Sequence, residues 1–154
     1  MKLKVLALTL VLAFAGAASA LAQSPQMGTW KLNEAKSHIP AGAMKNTSVT
    51  YAADGDSIKV TTEGTGGDGA AMHTEWTGKF DGKDYPITGD PSADARSYTK
   101  VNARTLSLSN KKDGKVMTTG RIVISADGKH RTLTTHTKAA GGKMLNSTAY
   151  YDKE

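Results

Sequence analysis

Met72-His73-Thr74-Glu75-Trp76-Thr77-Gly78-Lys79-Phe80 runs straight into Asp81-Gly82. In an extended chain Met72, Thr74, Trp76, Gly78 and Phe80 fall on one side, and His73, Glu75, Thr77 and Lys79 on the other. One apolar and one charged face is the period of two of a half-buried β-strand. The Asp-Gly behind it supplies the positive φ that a tight hairpin turn requires.

The same grammar extends in both directions. Ile58 and Val60 alternate with Ser57, Lys59 and Thr61, and Leu106 and Leu108 with Thr105, Ser107 and Ser109. Val116, Thr118, Gly120, Ile122 and Ile124 alternate with Lys115, Met117, Thr119, Arg121 and Val123. Further turn dipeptides stand at Asp54-Gly55, Asp68-Gly69, Asp113-Gly114, Asp127-Gly128 and Gly141-Gly142, most of them thirteen or fourteen residues apart. That spacing fits one strand plus its turn. Three turns share Asp-Gly-Lys, which is repeated turn chemistry, since the strands between do not match one another. No window has the spacing of an amphipathic helix, and the best helical stretch, Asn33 to Ala43, is short and holds Pro40. Strands are predicted near 28–33, 46–53, 56–63, 71–80, 84–88, 96–102, 104–111, 115–125, 130–138 and 143–151. Gly64 to Ala71 reads as a flexible loop. The expected fold is all-β, an antiparallel up-and-down barrel of about 8–10 strands, with a two-sheet sandwich as the alternative. A barrel also removes the exposed edges of an open sheet.

Composition sets the material. The chain has 154 residues, a length for one domain, with a formal net charge of +6 and no cysteine. Disulfides, thiolate metal sites and a cysteine nucleophile are excluded. Aromatics make up 6% and glycines number 16, so the core is built largely from small and aliphatic side chains. Lys2 and Lys4 precede the apolar run Val5 to Phe14 and the small-residue run Gly16 to Ala22. That order reads as a secretory signal peptide over 1–22, cleaved after Ala22, with a cut before Leu21 and a retained anchor as alternatives. Residues 23–154 are then one domain of 132 residues, with charge +4 because two lysines leave with the signal. The expected location is the periplasm or the outside of the cell.

Gly28-Thr29-Trp30 stands directly on the first predicted strand, and this Gly-x-Trp start resembles the lipocalin signature. Gly28-Thr29-Trp30-Lys31-Leu32-Asn33 together with Phe80-Asp81-Gly82-Lys83-Asp84-Tyr85-Pro86 resembles a group of small exported bacterial proteins of unknown function. The resemblance implies a lipocalin-like barrel in which Gly28 and Trp30 close one end. Two lipocalin features are not expected: the helix that packs on the barrel has no stretch left after the last strand, and no Thr-Asp-Tyr occurs. Arg121 and Arg131 are both candidate partners for Trp30. Fold analogy does not settle function.

The candidate lining of a ligand site is Met72, Trp76, Phe80, Leu106, Leu108 and Ile122, with Tyr85, Tyr98 and threonine hydroxyls to orient a head group. Gly78, Gly120, Thr74 and Thr118 share that face and leave room, so the interior is either a cavity or a packed core. His73 faces outward with Glu75 and Lys79, and His136 faces out if Leu133 faces in. His130 and His136, about 20 Å apart along one strand, cannot share a metal. Asp90, Ser92 and Asp94 have calcium-loop spacing, but the loop lacks its glycine and its final acid, so no metal is expected. Asp90-Pro91 also reads as a turn start. No Gly-x-Ser-x-Gly, His-Glu-x-x-His or phosphate loop occurs. An enzyme would need an inward titratable group such as His136 or Glu63. Lys111, Lys112 and Lys115 at one hairpin, and Lys129 with Arg131 at another, are candidates for weak contact with an anionic envelope surface. Nucleic-acid binding lacks its aromatic interleaving. The reading is therefore an exported, non-enzymatic, lipocalin-like binder of a small apolar or amphiphilic molecule, without a cofactor. The alternative is a solid-core envelope interaction protein.

Overall fold

A computed structural model describes residues 24–154; the predicted signal peptide lies outside the described residues. Ten antiparallel strands follow one another: β1 Gly28–Leu32, β2 Lys45–Asp54, β3 Ser57–Thr65, β4 Ala71–Gly78, β5 Tyr85–Thr88, β6 Ala95–Asn102, β7 Thr105–Lys112, β8 Lys115–Ile124, β9 His130–Lys138 and β10 Met144–Lys153. Each pairs with its neighbours in sequence, and β1 closes the ring by pairing with both β2 and β10. Trp30 stands opposite Val49 on one side and Lys153 on the other. The result is one closed up-and-down barrel and not the two-sheet sandwich.

Alternation does the sorting. In β4, Met72, Thr74, Trp76 and Gly78 are buried while His73 and Thr77 are exposed. The β7–β8 turn shows why its sequence matters. Asp113 and Gly114 have φ of 49° and 73°, between the paired Lys112 and Lys115. Two positive φ values in a two-residue loop make the turn whose twist matches its strands.

The structure differs from the sequence expectation in several places. Asn110 and Lys111 of β7 pair with Thr118 and Val116 of β8, so Met117 is an extra, bulged residue. The bulge leaves Val116 49% exposed and turns Met117 to the interior, the reverse of the expected order. Gly64, expected in a loop, belongs to β3, where a Cβ would meet the Lys45 carbonyl at 2.1 Å. Within Asn33 to Ala43 only Glu34–Lys36 turn helically, as a 3₁₀ turn capped by the Asn33 side chain.

The two ends differ. One end carries both termini of the described chain. There Trp30 is fully buried, and its indole N–H donates to the Gln26 carbonyl at 2.9 Å. Ile58, Leu106, Ile122 and Ile124 complete this packed end. At the opposite end the β1–β2, β3–β4, β5–β6 and β9–β10 loops surround an opening.

Candidate ligand site in the barrel

A cavity of about 420 Å³ occupies the half of the barrel away from Trp30. It follows from side-chain length. On β9 the inward residues Arg131, Leu133, Thr135 and Thr137 line it from depth to mouth. Thr62, Thr118 and Ser147 occupy the corresponding outer levels of β3, β8 and β10. Short hydroxylated side chains leave space that the Ile and Trp residues of the other end fill. Val49, Leu108, Leu145 and Met117 give the cavity an apolar wall.

The expected lining residues separate into three groups. Leu108 and Tyr98 line this cavity. Phe80 and Leu106 line a second, more open pocket of about 520 Å³ at the Trp30 end, beside the Lys79–Asp56 ion pair of 2.8 Å. Met72, Trp76, Ile122 and Tyr85 line neither. Trp76 is an interior strut: its ring meets Tyr98 at 4.8 Å and Tyr85 at 5.7 Å, and its N–H donates to the Arg96 carbonyl at 2.9 Å. Gly78 does not open space for a ligand, because the Tyr85 and Trp76 rings fill it; a Cβ there would stand 2.6 Å from Tyr85. Gly120 is filled likewise by Leu108 and Thr135. The Tyr85 ring packs against Trp76 at the edge of the core, and its hydroxyl donates to exposed Asp81 at 2.9 Å.

Two arginines that were not among the expected site residues reach into the interior. Arg96 shares its face of β6 with Tyr98, borders the cavity, and has both hydrogen-bond partners and a counter-charge. Its Nε donates to Asn110 Oδ1 at 2.7 Å, Nη1 to the Tyr98 hydroxyl at 3.4 Å, and Nη2 lies 4.0 Å from Asp90 Oδ2. Asp90 in turn is held by the Ser92 N–H and hydroxyl at 2.8 and 2.6 Å, which makes it a turn former and counter-charge. Asp94 accepts from the Asp113 N–H, so these acids have structural work in place of a calcium loop.

Arg131 is the deepest residue of β9 in the cavity and is only 2% exposed. The expectation that it belongs with Lys129 on a basic hairpin is corrected: the alternation that turns Leu133 inward turns Arg131 inward too. It is not the partner of Trp30 either; Lys153 Nζ sits over that ring at 5.0 Å, and Arg121 is exposed. The Arg131 guanidinium lies 5.2 Å from the Tyr51 ring and 4.9 Å from the Tyr151 ring, and its Nη2 donates to the Tyr51 hydroxyl at 3.1 Å. Its Nε and Nη1 have no partner among the described residues. Burial pushes both tyrosine hydroxyls up, against the pull of Arg131, so neither ionises to balance the charge. The parity of Arg131 with Leu133, and of Arg96 with Tyr98, was the available sequence signal.

The remaining candidates stay on the outside. His73 bonds Glu63 on the outer wall, His130 bonds Asp152 at 2.9 Å, and His136 bonds Asn146 at 2.7 Å. Among the described residues no three His or acidic groups converge on a metal position. Lys111 is engaged with Asp84 at 2.6 Å.

No family model matches the chain, and no curated protein matches it. Similar solved structures include that of EF1p2_mFAP2b bound to DFHBI, 14% identical, covering 89% of this chain and 99% of that one, with a TM-score of 0.47. Another is a redesigned β-barrel, mFAP1, bound to DFHBI, 17% identical, covering 87% of this chain and 98% of that one, with a TM-score of 0.44.

Proposed function

We propose that this protein is exported and carries a small amphiphilic molecule in its barrel without transforming it. The observation that supports carriage is the half-hollow interior of about 420 Å³, open at one end and mixed in its lining. Apolar burial against Leu108, Leu133 and Leu145 supplies affinity, and the threonine and serine hydroxyls of the outer levels accept or donate toward a polar group. The lining supports carriage over chemistry. Among the described residues it contains no histidine, and its one carboxylate, Asp68, lies in the β3–β4 turn and accepts from the Ala70 N–H. The packed-core reading describes only the half of the barrel that holds Trp30.

Native mass spectrometry of protein isolated from its own envelope tests the proposal, paired with titration of 1-anilinonaphthalene-8-sulfonate. The expected result is one extra mass released on denaturation, or one saturable dye site. Ser147→Trp, which fills the cavity from β10, should abolish the dye site in a variant with wild-type circular dichroism. A clean apo mass together with dye binding unchanged in Ser147→Trp overturns carriage in this cavity.

A further inference from the structure

We propose that Arg131 anchors the anionic head of the carried molecule, a carboxylate or sulfonate held at depth with its apolar body directed toward the mouth. This rests on the carriage reading and names its ligand class.

The interior charge carries the inference. The buried charged side chains among the described residues are Asp90, Arg96 and Arg131. Asp90 stands beside Arg96, 4.0 Å away, while no carboxylate of the described residues lies within ion-pair distance of Arg131. One guanidinium is therefore left over. Arginine cannot shed its proton to relieve the cost, as a buried lysine can. An unpaired buried charge with unmade hydrogen bonds is among the most costly things a fold can hold. The two tyrosine rings offset part of that cost by cation–π attraction, but they accept nothing from Nε or Nη1. An anion entering the cavity would meet those free N–H groups and cancel the charge.

The surroundings set the rest of the class. Above Arg131 on β9 stands Leu133, with Val49, Leu108 and Leu145 on other strands of the wall. A small inorganic anion would leave this apolar wall unused, and a neutral apolar molecule would leave the guanidinium unpaired. An amphiphile with one deep negative group satisfies both. A cationic head is excluded from the depth by like charge.

Isothermal titration with decanoate, decan-1-ol, decyltrimethylammonium and acetate tests it, on the wild-type protein and on Arg131→Met. Decanoate should bind at least about tenfold more tightly than decan-1-ol, the worth of one charge-assisted hydrogen-bond pair. Decyltrimethylammonium and acetate should bind most weakly. In Arg131→Met, decanoate should fall to the level of decan-1-ol while decan-1-ol is unchanged. Should that variant not fold, the Arg131 Nε–H resonance of the wild type must shift on adding decanoate and stay in place on adding decan-1-ol. Equal binding of decanoate and decan-1-ol, or a preference that survives in folded Arg131→Met, overturns the anchor and leaves carriage intact. Acetate binding as tightly as decanoate overturns the amphiphile. Silence of all four probes overturns the anchor and counts against carriage as well.

Discussion

The two ends of this barrel are built from the same ten strands, yet one has a packed aromatic and aliphatic interior, with an open pocket beside Phe80, and the other is hollow between its strands. Along β8 the inward side chains run from Ile124 and Ile122 to Thr118, and along β3 from Ile58 and Val60 to Thr62. Along β10 they run from Tyr151 to Ala149 and Ser147. The ladder runs on through each strand apart from its bulges, so the space left inside is set largely by how side-chain size falls from one end to the other. A cavity is thus recorded as a gradient along strands. The largest apolar residues mark where the interior is closed.

The filled half should be the costly one to damage. Trp76→Ala removes a buried indole, its edge contacts with Tyr98 and Tyr85, and its bond to the Arg96 carbonyl. The expected loss is about 3–5 kcal/mol in urea unfolding. A loss near zero would break the contrast, because Trp76 would then be lining space and not filling it. Leu108→Ala sharpens the same contrast. Leu108 is half-buried and borders the cavity, so its truncation should cost about 1 kcal/mol, below the usual range for a packed leucine.

Arg131→Met acts with the opposite sign. It trades an uncompensated buried charge for an apolar side chain of similar length, so the ligand-free protein should hold its stability or gain about 1 kcal/mol. Thermal melts with and without decanoate read both halves of this. The wild type should be raised by the ligand much more than the variant, since only a ligand that binds the folded state shifts its melting.

Most of the architecture was legible because it depends on repeated local rules. Alternation placed Ile58, Val60, Trp76, Leu106 and Ile122 inside, and Asp-Gly punctuation placed the turns; the ten strands fall close to their expected bounds. The bulge at Met117 was not legible, because one extra residue depends on the partner strand and on nothing in β8 itself. The site was harder for a different reason. Treating large apolar residues as lining pointed to Trp76 and Ile122, which fill space, while the lining that makes space is Thr118, Thr135, Thr137 and Ser147. Arg131 was assigned to the surface because it is charged and near a turn. Its parity with Leu133 outweighs that, since a strand cannot turn one residue out without turning its whole face.

The outer wall offers the smallest effects, and they oppose each other at the two ends. Near the hollow end His73 is raised above its ordinary value by its hydrogen bond to Glu63, then by the Glu63 charge, with Glu75 adding to it. A raised folded pKa contributes stability that is fully present below the unfolded value of about 6.5 and fades as pH rises through the folded value. Near the filled end Asp152 is lowered by the Asn33 side-chain amide and then by His130. Its contribution is present above the unfolded value of about 3.9 and is lost as pH falls through the folded value. Both side chains stand open to solvent, which keeps each contribution small. Urea midpoints measured across pH should therefore lose part of their alkaline slope in His73→Gln, with the acid limb unchanged. Asp152→Asn should flatten the acid limb alone. If both variants altered the same limb, the two outer walls would be coupled through the sheet, and treating the ends as separate structures would fail.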